Sequence, residues 1–243
     1  MTNLTIIDQL LVLLDDEQPH PLEEMTTILH RSKQTVSSTL GRLLAKSWVE
    51  RHRAARGQYQ ITDAGRTHVT KLLDQIKLRV ESDWDGSWEQ IIFNIPERDR
   101  KRRDDLRGLL VGLGYGRLHG WLWLSPWSHR VEIERYIIET HSEADITIVR
   151  TGALDQATSR RFGQLFEWDW QSLETAYDAV IHDATAFLAQ PKKASYRARC
   201  LVYHYAKVLA TDPKLPSFLP SRVTNATAAF ELYQRVRPFC YQE

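Results

Sequence analysis

The chain has 243 residues, 42% hydrophobic and 26% charged, with a net charge of +1. That composition excludes a disordered chain, and no apolar run approaches the roughly 18 to 20 residues of a membrane span. The two cysteines and nine scattered histidines form neither a disulfide framework nor a zinc site, and the start MTNLTIIDQLLVLLDD lacks an export signal, so a reduced, cytoplasmic protein without cofactor or metal is expected.

Leu4, Ile7, Leu10, Leu11 and Leu14 recur at helical spacing and predict an amphipathic helix over residues 3–15 with one buried stripe. Pro21 opens a second helix, with Glu23 and Glu24 at its positive dipole end. Arg31 and Ser32 make a turn in which Ser32 caps a third helix. There Val36, Leu40, Leu43 and Leu44 form the inner face, while Gln34, Ser37, Ser38, Gly41 and Arg42 form an outer face that is small, polar or basic. Trp48–Arg51 and Gln58–Thr62 read as strands, joined by a basic hairpin in which Gly57 is free to adopt positive φ. Between residues 31 and 56 seven basic side chains face a single acid, Glu50.

Three helices followed by a basic hairpin predict a winged helix-turn-helix over residues 1–82 that binds double-stranded DNA. Short polar side chains let a helix approach the major groove, and basic ones neutralise phosphates. The candidate contacts are Ser32, Lys33, Gln34, Thr35, Ser37, Ser38 and Arg42 on the helix, and Arg51, Arg53, Arg56 and Gly57 on the wing.

A helix over residues 66–82 leads to a turn at Trp84-Asp85-Gly86. Strands are expected at 87–95, around 121–124 and at 145–150, with helices at 97–111 and 129–141 between them. That alternation fits a ferredoxin-like middle domain over 83–152. The arginine-rich outer face of the helix at 97–111 also carries Asp99, Asp104 and Asp105 and reads as solvated. Residues 153–243 predict a helical C-terminal domain with helices at 155–166, 171–189, 195–210 and 224–236, and a loop held by Leu215, Phe218 and Leu219. The fold class expected is α+β.

The stretch WDGSWEQIIFNIPERDRKRRDDLRGLLVGLGYGRLHGWLWLSPW resembles the central signature of the PaaX family of transcriptional regulators. The likeness continues in FEWDW at 166–170 and LVYHYAKVLATDPKLPSFLP at 201–220. It implies a homodimeric repressor of a catabolic operon that binds a palindromic operator and is released by a small effector, such as an aryl- or acyl-CoA thioester. Trp121, Trp123, His204, Tyr205 and Lys207 are the candidate effector contacts, the last three on the resemblance alone. The sequence departs from the family at Asn94, where an aspartate is usual, and at His119-Gly120-Trp121.

The competing reading is an enzyme. The middle domain also resembles the small CRISPR-associated nucleases, which hold a metal with an aspartate at the end of the first strand. Here that position is Asn94, whose amide is a poorer ligand for a hard cation than a carboxylate. No phosphate loop, nucleophile elbow or ligand-spaced carboxylate cluster is present, so no enzymatic activity is expected.

Overall fold

The structure, a computed structural model, describes residues 4–16, 18–53, 57–81, 84–165, 167–216, 219 and 223–241. The chain folds into two compact units, one of residues 1–77, 176–207 and 225–243, the other of residues 78–175 and 208–224. These units cut the chain differently from the expected segments 1–82, 83–152 and 153–243.

The first unit begins with α1 (Ile6–Leu14), β1 (His20–Pro21), α2 (Leu22–Leu29), α3 (Lys33–Ala45), β2 (Val49–Arg51), β3 (Gln58–Ile61) and the start of α4 (Asp63–Glu81). Thr5 and Asp8 form a reciprocal capping box: the Thr5 N–H donates to the Asp8 carboxylate at 3.0 Å and the Asp8 N–H to the Thr5 hydroxyl at 3.3 Å. The single buried stripe expected for α1 needs correction, because every residue from Leu10 to Leu14 is at most 3% exposed. A helix that is apolar all round needs cover on every side. Met25, Val36 and Leu40 supply part of it, and Cys200 and Tyr203, from far along the chain, join the same core. Tyr196 donates to the Gln9 carbonyl at 3.2 Å, and Lys207 pairs with Asp8 at 2.7 Å. The strands make an antiparallel sheet in the order β1-β3-β2. The two-residue β1 was not expected.

The second unit holds β4 (Glu89–Phe93), α5 (Arg100–Gly112), β5 (Gly116–His119), β6 (Leu122–Ser125), α6 (Arg130–Thr140) and β7 (Ile146–Arg150). The β-α-β-β-α-β order and the antiparallel sheet β5-β6-β4-β7 are those of a ferredoxin-like unit, in keeping with the expected α+β class. Alternation along β4 turns Ile91 and Phe93 into a core with Leu106 and Leu110 of α5, Ile133 of α6 and Ile146 of β7. Strand β5 was missed; it starts at Gly116, where a Cβ would lie 2.6 Å from the Trp168 indole.

Helices α7 (Gln156–Leu165), α8 (Trp170–Leu188), α9 (Ser195–Thr211) and α10 (Ala226–Val236) fall within two residues of expectation. Ala184 and Phe187 of α8, Ala198 and Leu201 of α9 and Val236 of α10 form a further core in the first unit. Phe218 lies outside the described residues, whereas Leu219 is buried. Among the described residues no helix is long and apolar enough to cross a membrane.

Candidate nucleic-acid interface

Helix α3 is divided sharply between two faces. Val36, Leu40 and Leu43 are at most 1% exposed, whereas Lys33, Gln34, Thr35, Ser37, Ser38, Gly41 and Arg42 all face outward. Ser32 is the N-cap, with its hydroxyl accepting from the Thr35 N–H at 3.2 Å and lying 2.8 Å from the Thr35 hydroxyl. These two side chains therefore shape the helix start. Thr39, missed by sequence reasoning, is fully buried and donates to the Thr35 carbonyl at 2.9 Å while accepting from Arg42 at 3.2 Å. It orients the Arg42 guanidinium on the outer face. Lys33 pairs with Glu23 of α2 at 2.8 Å, which partly neutralises it; hydrogen bonding within this pair holds Glu23 below its ordinary pKa and Lys33 above. No acid occupies the first turn of α3.

The hairpin pairs Val49 with Ile61, Glu50 with Gln60 and Arg51 with Tyr59. Arg51 and Arg53 are exposed, and Gly57 takes φ +83°, a conformation that favours glycine. Arg56 lies outside the described residues. The one acid of the region, Glu50, accepts from the Gln60 amide across the strands at 2.5 Å. At the hairpin base the Trp48 ring stacks on His68 at 4.1 Å, with the Lys46 ammonium 4.5 Å from its centre. Arg31, Lys46, Arg51 and Arg53 thus remain exposed beside the outer face of α3.

The effector candidates are distributed over both units. In the second, Trp121 is 53% exposed and stacks near His119 at 6.1 Å, while Trp123 is buried in the sheet core. In the first, His204 and Tyr205 are buried, Tyr205 stacks on Tyr233 at 5.0 Å, and Lys207 is held by Asp8. Burial disfavours the imidazolium of His204, and likewise of His129. An unfolded histidine protonates near about pH 6.5, whereas these two resist protonation when folded, so the folded state loses stability as pH falls below that value. The thermal midpoint is expected to drop between about pH 7 and 5, above most of the carboxylate range, and to drop less in His204→Gln. A flat midpoint across this window would contradict the burial of the neutral rings.

Asn94 follows β4 and is exposed, its N–H donating to the Asp145 carbonyl at 2.9 Å. Among the described residues no group of three or more His, Cys, Asp or Glu side chains is placed to hold a metal ion.

The second unit is thus a ferredoxin-like domain, in a chain whose first unit presents a basic, acid-poor helix and hairpin. Residues 81–162 match the family model described as the PaaX protein central Cas2-like domain. The solved structure of the uncharacterized protein Rv0674 from Mycobacterium tuberculosis shares the fold, with a TM-score of 0.60 over 95% of this chain and 93% of that one at 18% identity. No curated protein matches the chain.

Proposed function

We propose that this chain is a transcription regulator that reads double-stranded DNA with a winged helix formed by α1 to α3 and the β-hairpin. The observation that carries the reading is the outer face of α3: Gln34, Ser37, Ser38 and Arg42 are exposed and free of acidic neighbours on the same face. Such a face offers bidentate donors to base edges and lets the backbone come close to the groove. Arg51 and Arg53 lie on the hairpin where a wing would meet phosphates. In the finer reading the regulator is a homodimer on a palindromic operator, a repressor of a catabolic operon released by a small effector such as an aryl- or acyl-CoA thioester. The match of residues 81–162 to the PaaX central-domain model and the sequence resemblance support it. The nuclease reading finds no support in Asn94, which offers an amide where a metal-binding carboxylate would be needed.

Fluorescence anisotropy with labelled duplexes at several salt concentrations tests the reading. Arg51→Ala with Arg53→Ala is expected to weaken binding similarly across DNA sequences and to reduce the salt slope by about 1 for each phosphate that the hairpin ceases to neutralise. Unchanged affinity and slope would remove the hairpin from the interface.

A further inference from the structure

The first unit contains a cavity of about 810 Å³, walled by α1, α4, α9 and the short turn Arg237–Tyr241. That is the size of a pocket for a small organic molecule. Val12, Val69, Leu73 and Val202 give it apolar walls, and Tyr196 and Tyr203 add two aromatic rings.

Its charged lining is unequally satisfied. Asp16 already receives the His20 ring at 2.9 Å and the Gln18 N–H at 3.1 Å, and Asp15 is also engaged. Arg199 reaches Asp16 only at 3.5 Å, the outer limit of a hydrogen bond, and its buried Nε has no acceptor. Lys193 donates to the Gln190 carbonyl and stands 5.8 Å from the Phe239 ring centre, with no carboxylate partner among the described residues. Two cations therefore line an apolar cavity with donors to spare, whereas its acids are occupied. A half-buried, underserved guanidinium fits a carboxylate, which can accept two parallel N–H bonds.

We propose that this cavity binds a small carboxylic acid with an apolar body of ring size, its carboxylate taken by Arg199 and Lys193. The cavity wall also bears on the inner face of α3. Leu10 and Leu11 of α1 share one core with Val36 and Leu40 of α3, and α4 starts directly after strand β3 of the hairpin. A ligand that prefers one spacing of α1 and α4 therefore shifts the position of α3. This consequence rests on the DNA-binding reading; ligand binding itself does not.

Calorimetric titration of the full chain with 2-naphthoate, 2-naphthylmethylamine and 2-naphthoyl-coenzyme A tests the proposal. The expected result is one 2-naphthoate per chain, weakened at least about tenfold by Arg199→Met and abolished when Val202→Trp fills the cavity, with no binding of the amine. If Val202→Trp fails to fold, Arg199→Met and the comparison of acid with amine decide. Absence of 2-naphthoate binding up to about 10 mM, equal binding by Arg199→Met, preference for the amine, or binding of the thioester alone would each overturn it. A parallel DNA titration keeps the two readings apart. A chain that takes 2-naphthoate but retains no DNA leaves the pocket standing and refutes the winged helix, and the reverse outcome refutes the pocket alone.

Discussion

Gly65→Ala is expected to lower the thermal midpoint by about 6–12 °C and to abolish DNA retention. In α4 a Cβ on Gly65 would lie 2.2 Å from the Trp48 carbonyl oxygen and 2.7 Å from Ile61 Cγ1. The first of these is backbone and cannot swing aside. That carbonyl also accepts the Thr62 N–H at 3.0 Å, while the Thr62 hydroxyl donates to the Ser47 carbonyl at 2.6 Å and accepts from the Gly65 N–H at 3.1 Å. The added methyl group must push α4 away from the strand β2 that carries the hairpin, at a cost of about 3 kcal/mol, the upper end for overpacking. Alanine would otherwise gain up to about 1 kcal/mol of helix propensity over glycine, so the steric term outweighs it. Gly108→Ala in α5 is the control, since a Cβ there meets nothing within 4 Å. Differential scanning calorimetry should show opposite signs for the two variants. Equal midpoints would mean that α4 does not approach the hairpin base this closely.

The second large effect is expected at Glu89, which is 1% exposed and forms no salt bridge among the described residues. Three donors converge on its carboxylate: the Tyr115 hydroxyl, the Ser128 hydroxyl at 2.7 Å and the His129 N–H at 2.8 Å. The last of these belongs to the N-cap of α6, so Glu89 caps that helix from the sheet and sits at its positive dipole end. Tyr115 stays a neutral donor, because burial, and then the bond to Glu89, pushes its phenol well above the ordinary value. Glu89→Ala leaves the buried Tyr115 hydroxyl and the half-buried His129 N–H unpaired and is expected to cost about 3 kcal/mol or more. Glu89→Gln keeps the shape and one strong acceptor and should cost about half as much. Chemical denaturation followed by tryptophan fluorescence gives the order. If alanine were no worse than glutamine, the carboxylate would not be the organising group of this corner.

Much of the fold was legible because the periodicities are clean. The alternating faces of α3, the hairpin strands and the four late helices follow from spacing and turn chemistry. Two strands escaped for physical reasons. His20–Pro21 is too short to have a period, and Gly116–His119 carries one apolar residue, Leu118, with a register shift between Arg117 and His119. The all-round burial of α1 was readable in the unbroken run Leu10–Leu14, which needs more cover than α2 and α3 give. Glu89 was readable too, since it shares the inward parity of Ile91 and Phe93 on β4. The cavity was not, because Val12, Val69, Arg199 and Cys240 meet only once distant segments have packed. Nor was the support of Arg42 by Thr39, which depends on a buried hydroxyl in a helix interior.

The most direct measurement is selection of duplexes from a random-sequence pool by the full chain, followed by sequencing of what is retained. The winged-helix account predicts an enriched motif whose base preferences relax at particular positions in Gln34→Ala and Arg42→Ala, while the selected length of duplex stays the same. Retention of no duplex even at low salt, or a motif unchanged by both substitutions, would contradict the assignment of α3 as the reading helix.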